Sequence, residues 1–482
     1  MICQLHILPQ GKRLEVPAGA NLLQVLRDAG LGPEAPCGGK GTCGKCTVTV
    51  NGQPVRSCRF QVESDLTVVL PEAFEERILT QGAMGTAQAD PVAPGYLVAV
   101  DVGTTTVVCV LMDAAGNQLA VQSMKNPQAP WGADVISRIQ HACGGAAAQL
   151  TQAIRQGVEA LLQQCCREAS VDPRGIGVIS LVGNSCMQQM FLGMDVQNLA
   201  AIPFAPSITQ AQILNAASYI ACCPQGKLLV VPDIAGFVGA DTMACILAAR
   251  LHEAQDTVLL VDIGTNGEMV LCHKGAMAAC STAAGPALEG GNISCGMRAA
   301  AGAIDHVWDG GCSVIGNAEA RGICGSGLVD AAAVMLDAGI LNYRGRLQTP
   351  DHTYTLKPGV TLTQDDIRQL QMAKGAIAAG ILLLAEHMSL EPEAIDRVIL
   401  AGAFGSFLDP QNACRIGLLP QALEGKITAA GNLALRGAEA LAMDQKLLPL
   451  TQQLLGRIAS VELAKSPDFE MTFAENMYFP ED

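Results

Sequence analysis

Two stretches whose aspartates lie 161 residues apart read almost alike: YLVAVDVGTTTVVCVLMDAAGN at 96–117 and TVLLVDIGTNGEMVLCHKGAM at 257–277. Each is an apolar run long enough for a buried strand, followed by Asp, any residue, Gly and Thr, and then a second strand. Repetition of such a hairpin at this distance restricts the chain to few folds. The period is too long for a solenoid, whose units run about 20–50 residues. Between and beyond the copies, β-branched strands alternate with Ala/Leu-rich helical stretches, the pattern of α/β layers. The expectation is a duplicated α/β domain with lobes at 96–256 and 257–482 and a cleft between them.

The turns say what the cleft can hold. Asp101, Gly103, Thr104 and Thr105 in the first copy, and Asp262, Gly264, Thr265 and Asn266 in the second, put a carboxylate at a strand end before a glycine turn bearing hydroxyls. Backbone N–H groups and Thr hydroxyls in such a turn can ring a phosphate, while the aspartate holds Mg2+ or a water. One Gly-Thr turn would be commonplace; the pair is what points to a nucleotide. VILAGAFGSFLD at 398–409 ends a strand in Gly402 and Gly405, where missing side chains would admit an adenine ring, and GICGSGLVDAAAVML at 322–336 reads as a glycine turn opening a helix. The competing reading is that all of these are structural turns.

Residues 1–71 are a different text. QLHIL and RLEV flank a turn, NLLQVLRDAG has one apolar face and stops at Gly30, Asn51-Gly52 suits a type I′ hairpin, and DLTVVLP closes the unit as a strand, the order of a β-grasp domain. Within it Cys37, Cys43 and Cys46 stand as C-x5-C-x2-C among glycines, and Cys58 follows after eleven residues. Four thiolates can hold a [2Fe–2S] cluster, with glycines letting the backbone wrap it; a zinc knot or four buried cysteines is the rival reading. The other fifteen cysteines are dispersed in apolar contexts and read as small buried hydrophobes. Residues 72–95 lose β-periodicity and read as a linker.

A net charge of −15 argues against nucleic-acid backbone binding. No basic, apolar leader and no charge-free run of about 18 apolar residues is evident, so no membrane partner and a cytoplasmic location are expected.

Residues 1–71 resemble a plant- or adrenodoxin-type [2Fe–2S] ferredoxin, although there the fourth cysteine comes much later than Cys58 does here. Residues 96–482 resemble the acetate and sugar kinase, heat-shock chaperone and actin superfamily. That likeness implies two ribonuclease-H-like lobes around ATP and Mg2+, with Asp101 and Asp262 as the acting carboxylates and Gly402 with Gly405 as the adenosine loop. The usual adjacent glycine pair is here spaced as Gly402-Ala403-Phe404-Gly405. With NPQAPWGADVISRI (126–139), LVGNSCMQQMFLG (181–193), VPDIAGFVGAD (231–241) and GGNISCGMRAAAGAI (290–304), the chain resembles, over its whole length, the ATP-dependent reductive activators of corrinoid-dependent methyltransferases. The resemblance implies reduction of an inactive Co(II) corrinoid protein to Co(I), with electrons entering from an external low-potential donor through the cluster. A plant-type cluster lies near roughly −400 mV; the Co(II)/Co(I) couple is expected lower, and ATP would offset a few kcal/mol by favouring one conformation. A redox-regulated small-molecule kinase and a nucleotide-dependent assembly factor with a structural cluster stand as alternatives, and a homodimer is one open arrangement.

Overall fold

The computed structural model of the chain describes residues 2–33, 39, 41, 46–71 and 89–481, the side chain of Ala403 excepted. Cys37, Cys43 and residues 72–88 of the expected linker therefore lie outside the described residues.

Alternation in ICQLHIL puts Cys3, Leu5 and Ile7 on one face, and Ile2–Leu8 pairs antiparallel with Lys12–Pro17. Asn21 caps helix α1 (Leu22–Asp28) by accepting from Gln24 N, and the helix lays Leu22 and Leu26 on that face. Asn51 and Gly52 have φ of 47° and 84°, as a type I′ turn requires; the turn joins Thr47–Val50 to Gln53–Arg56. Leu66–Val69 completes a five-stranded sheet by pairing parallel to the first strand. Among the described residues of this domain, one α-helix on a mixed sheet makes the β-grasp arrangement the sequence predicted.

Two six-stranded sheets follow. In the first, Tyr96–Val102 lies between Thr106–Met112, antiparallel, and Ile176–Gly183, parallel; Gln118–Lys125 and Lys227–Val230 flank these, with Gln212–Asn215 at the edge. In the second, Val258–Ile263 lies between Gly267–His273, antiparallel, and Arg397–Ala401, parallel, flanked by Ala276–Thr282 and Ile427–Ala429, with Ile458–Ser460 at the edge. Edge strands aside, the five strands have the same order and directions in both sheets. Duplication read from one hairpin thus extends through each lobe.

The central strands Tyr96–Val102, Ile176–Gly183 and Val258–Ile263 are almost wholly apolar because both faces are covered. Along Tyr96–Val102, Val98 and Val100 face α3 (Ala147–Ala169) and α4 (Ser185–Leu192), which follow α2 (Val135–His141). Leu97 and Ala99 face the opposite way, toward α5 (Ala240–Ala248). In the second sheet Leu259 and Val261 face α6 (Gly325–Asp337) and α7 (Gln364–His387). Leu260 instead joins the packing of α5 with α10 (Leu433–Met443), which follows the short helices α8 (Gly402–Phe407) and α9 (Pro410–Arg415). So α10 lies within 257–482 in sequence yet packs on α5, where a Cβ on Gly437 would come 2.1 Å from the Ala244 carbonyl oxygen. The helix pair α5–α10 is the layer between the sheets.

Ala89, Val92 and Ala93, in the last part of the expected linker, pack into the same layer, and Asp90 bridges to Asp444. Helix α7 is the one described helix long and apolar enough to cross a membrane, with mean hydropathy 1.2, but 78% of that window is buried inside the protein. Its buried Lys374 donates to the carbonyls of Asn476 and Tyr478 at 2.6 Å each, fastening the C-terminal segment.

Candidate functional site

Both Asp-x-Gly-Thr turns fall at the same end of equivalent strands, and α5–α10 holds the sheets so that they face each other across one cavity of about 250 Å3. Asp101, Gly103, Thr104, Thr105, Asp262, Gly264, Thr265 and Asn266 all line it. Thr105 and Thr265 hydroxyls, 160 residues apart, come within 3.4 Å.

The first turn is tied from behind. Asn126 Nδ2 donates to Gly103 O at 2.7 Å, Arg138 Nη2 to Thr104 O at 2.5 Å, and Asn184 Nδ2 to Thr104 Oγ1 at 2.9 Å. Carbonyl oxygens that would repel an anion are thereby occupied by donors. Arg138 is fully buried, and burial lowers its pKa to about 10, which leaves it charged at neutral pH.

Carboxylates gather beneath the turns. Burial, above all, raises Asp101 to about 6, with Asn432 opposing the shift and Asp262 adding to it. Asp262 is likewise raised to about 6 by burial, against the Cys245 thiol that donates to its Oδ2 at 3.8 Å. Asp241, at the start of α5, rises to about 7 through burial, with Asp101 and Asp262 adding repulsion. Glu268 lies across from Asp262 in the hairpin, where the first lobe has Val108 across from Asp101, and burial pushes it well above the usual range. An all-oxygen set of acids that resist ionisation fits a hard divalent cation.

Cys324, Gly325 and Ser326, opening α6, and Phe404 and Phe407 of α8 also line the cavity. Gly402 lines the cavity at φ 83°, and a Cβ there would lie 2.6 Å from Asp262 Oδ1. Gly405 does not share this place. The strand ends at Ala401 and Gly402 begins a helix, so Gly405 turns inward, where a Cβ would meet Leu400 Cβ at 3.2 Å, and it is not part of the cavity lining. Of the two expected glycines, then, Gly402 lines the cavity and Gly405 does not, while Phe404 and Phe407 do.

Asp241, Glu268, Glu289 and Asn432 also line the cavity and went unassigned in the sequence. Glu268 stood in the DIGTNGE copy and Asp241 in the VPDIAGFVGAD stretch, both visible; Glu289 and Asn432 reach the site only through tertiary packing.

In the N-terminal domain Cys46 and Cys58 are buried together with Leu23. Ser57 Oγ donates to Cys46 O at 2.8 Å and Asn21 Nδ2 to Cys58 O at 3.0 Å, fixing both cysteine backbones. Gly39 and Gly41 stand beside them at φ 85° and 77°, and a Cβ on Gly41 would fall 2.3 Å from Arg59 Nε. Two sheltered thiols beside two glycines at positive φ fit an iron–sulfur centre. Of the other fifteen cysteines eleven are buried, whereas Cys143 is exposed.

Paired ribonuclease-H-like sheets with matching hydroxyl turns over one acidic cleft are the build of an ASKHA ATPase, here carried behind a ferredoxin-like domain. Residues 256–482 match the family described as the C-terminal domain of RACo, the ASKHA domain; 96–254 match the RACo middle region; and 5–70 match the 2Fe-2S iron-sulfur cluster binding domain. The chain belongs to the RACo family. It is 34% identical over 423 residues to the corrinoid activation enzyme RamQ of Eubacterium limosum, covering 80% of this chain and 70% of that protein. It is 29% identical over 271 residues to a [Co(II) methylated amine-specific corrinoid protein] reductase of Methanosarcina barkeri, about half of each chain. Among solved structures, a reductive activator for corrinoid, iron-sulfur protein superposes with a TM-score of 0.75 at 26% identity, over 99% of this chain and 98% of the other. The chain thus carries an iron–sulfur domain and an ATP-binding domain.

Proposed function

We propose that the chain is an ATP-dependent reductive activator that returns an inactive Co(II) corrinoid protein to Co(I), so restoring a methyltransferase system. The observation that carries this is the meeting of Thr105 and Thr265 across the cleft, in a chain whose relatives are a corrinoid activation enzyme and a corrinoid protein reductase.

Cys37, Cys43, Cys46 and Cys58 would hold a [2Fe–2S] cluster. When bound, that cluster supplies single electrons at low potential, drawn from an external donor. Asn21 and Ser57 orient two of these cysteines, and Leu23 keeps water from them. In the cleft the backbone and hydroxyls of the two turns bind the phosphates of ATP, and Phe404 and Phe407 offer apolar surface to the base. Asp101 and Asp262, aided by Asp241, would hold Mg2+, whose charge would offset that of the phosphates; the protons that burial retains on these carboxyls are held by the chain itself. Turns from separate lobes that must grip one nucleotide bring the lobes to a defined spacing. Binding energy can thereby select the conformation that docks the corrinoid protein.

The test is anaerobic visible spectroscopy of the reconstituted protein with a Co(II) corrinoid protein and a low-potential reductant. The Co(I) band should grow only when this chain and ATP are both present; growth independent of ATP, or cobalt that stays Co(II) with every corrinoid partner, overturns the reading.

A further inference from the structure

Glu289 sits where the two turns meet. Its Oε2 accepts the hydroxyl of Thr105 at 3.0 Å and that of Thr265 at 3.1 Å. Thr105 belongs to the first lobe, Thr265 and Glu289 to the second, so one carboxylate oxygen joins the lobes at the tips of both turns. The glutamate is well seated. It ends the short turn Pro286–Glu289, and Gly290 after it has φ 75° and so little room that a Cβ would lie 2.3 Å from Met297 O.

A threonine hydroxyl has one proton to give. Both hydroxyls give theirs to Glu289, and these are the donors that a phosphate oxygen between the turns would need. Carboxylate and phosphate are both anionic acceptors, and they repel each other at such range. They cannot share the pair.

We infer that Glu289 is an internal competitor for the terminal phosphate: it satisfies both turns and ties the lobes while the cleft is without nucleotide, and an entering phosphate takes over both hydroxyls and expels the carboxylate. Nucleotide binding is thereby exchanged for a contact between lobes, which makes lobe geometry sensitive to nucleotide at one residue. This rests on ATP entering the cleft as proposed above.

The test is calorimetric titration of the full chain with ATP and Mg2+, for the wild type, Glu289→Gln and Glu289→Ala. Removing the competitor should tighten ATP binding by roughly five- to tenfold in Glu289→Ala, within the usual span of coupling effects. Glu289→Gln, which keeps the volume and one acceptor oxygen without the charge, should fall between; it carries the test alone if the alanine variant does not fold. A merely structural role for Glu289 would weaken binding, and a role in hydrolysis alone would leave the affinity unchanged. Either result in folded variants overturns the competitor and leaves ATP binding standing. No binding by any form, wild type included, overturns the ATP reading and the competitor with it.

Discussion

Asn432 Nδ2 donates to Asp101 Oδ2 at 2.8 Å across 331 residues of sequence, while the Oδ1 of the same side chain caps α10 by accepting from Leu435 N at 2.9 Å. One residue thus fixes the start of the inter-sheet helix and holds the first cleft carboxylate. The two duties can be separated, because aspartate caps a helix about as well as asparagine. Asn432→Asp should keep the helix cap but set a second carboxylate against Asp101, raising its pKa further and lowering stability at neutral pH more than at acid pH. ATP-dependent Co(I) formation should fall at neutral pH and recover partly toward lower pH. Asn432→Ala loses both contacts and should cost about 2 kcal/mol of stability in urea unfolding. An unchanged pH profile in Asn432→Asp would count against the link.

The cleft acids make stability depend on pH. Burial raises Asp101 and Asp262 to about 6 and Asp241 to about 7, from an ordinary value of 3.8. The folded chain therefore holds protons that the unfolded chain releases. The stability these groups contribute is complete below about pH 4 and is lost as pH rises through 6 to 7, each group losing about 1.4 kcal/mol for every pH unit between its unfolded and folded values. In cation-free, nucleotide-free buffer, Asp241→Asn should be more stable than wild type at about pH 8 and lose that advantage at about pH 4, and Mg2+ should narrow the gap. Urea midpoints across this range decide it; a gap that widens toward acid pH contradicts it.

Gly402 and Gly405 look alike in sequence and differ in place. Gly402→Ala forces a Cβ to 2.6 Å from Asp262 Oδ1 at φ 83°, costing about 1 kcal/mol or more in backbone strain. It should weaken ATP binding severely. Gly405→Ala meets only Leu400, inside a helix, and should leave ATP binding near wild type. Calorimetry on the two variants checks the difference, and equal losses would restore the two-glycine loop.

For the N-terminal domain, Cys58→Ser should lose or shift the visible iron–sulfur absorbance and lower bound iron, whereas Cys109→Ser, buried in the first lobe, should match wild type. Unaltered iron and spectrum in Cys58→Ser would remove Cys58 from the ligand set.

What the sequence made legible was local. Period-two strands, the Asn51-Gly52 turn and the paired Asp-x-Gly-Thr turns each declare themselves within a dozen residues, because the backbone conformation they need is set by adjacent side chains. Asn432 and Glu289 gave no such signal. Each lies beyond an element boundary, Asn432 capping α10 and Glu289 ending a short turn, and each reaches the cleft only because distant helices pack as they do. Gly405 differs for the opposite reason: a second glycine after a strand looks like a loop, but Gly402 takes the positive φ, the chain goes straight into a helix, and Gly405 falls outside the cavity lining.

The central claim is that ATP in this cleft governs electron delivery from this chain to cobalt. The direct measurement is a single turnover: reduce the protein anaerobically, remove the reductant, add a Co(II) corrinoid protein and follow the iron–sulfur and cobalt bands together. With ATP, reoxidation of the chain and appearance of Co(I) should proceed in equal amounts; without ATP, or with Asp101→Asn, the electrons should stay on the chain. Equal transfer with and without ATP would contradict the account.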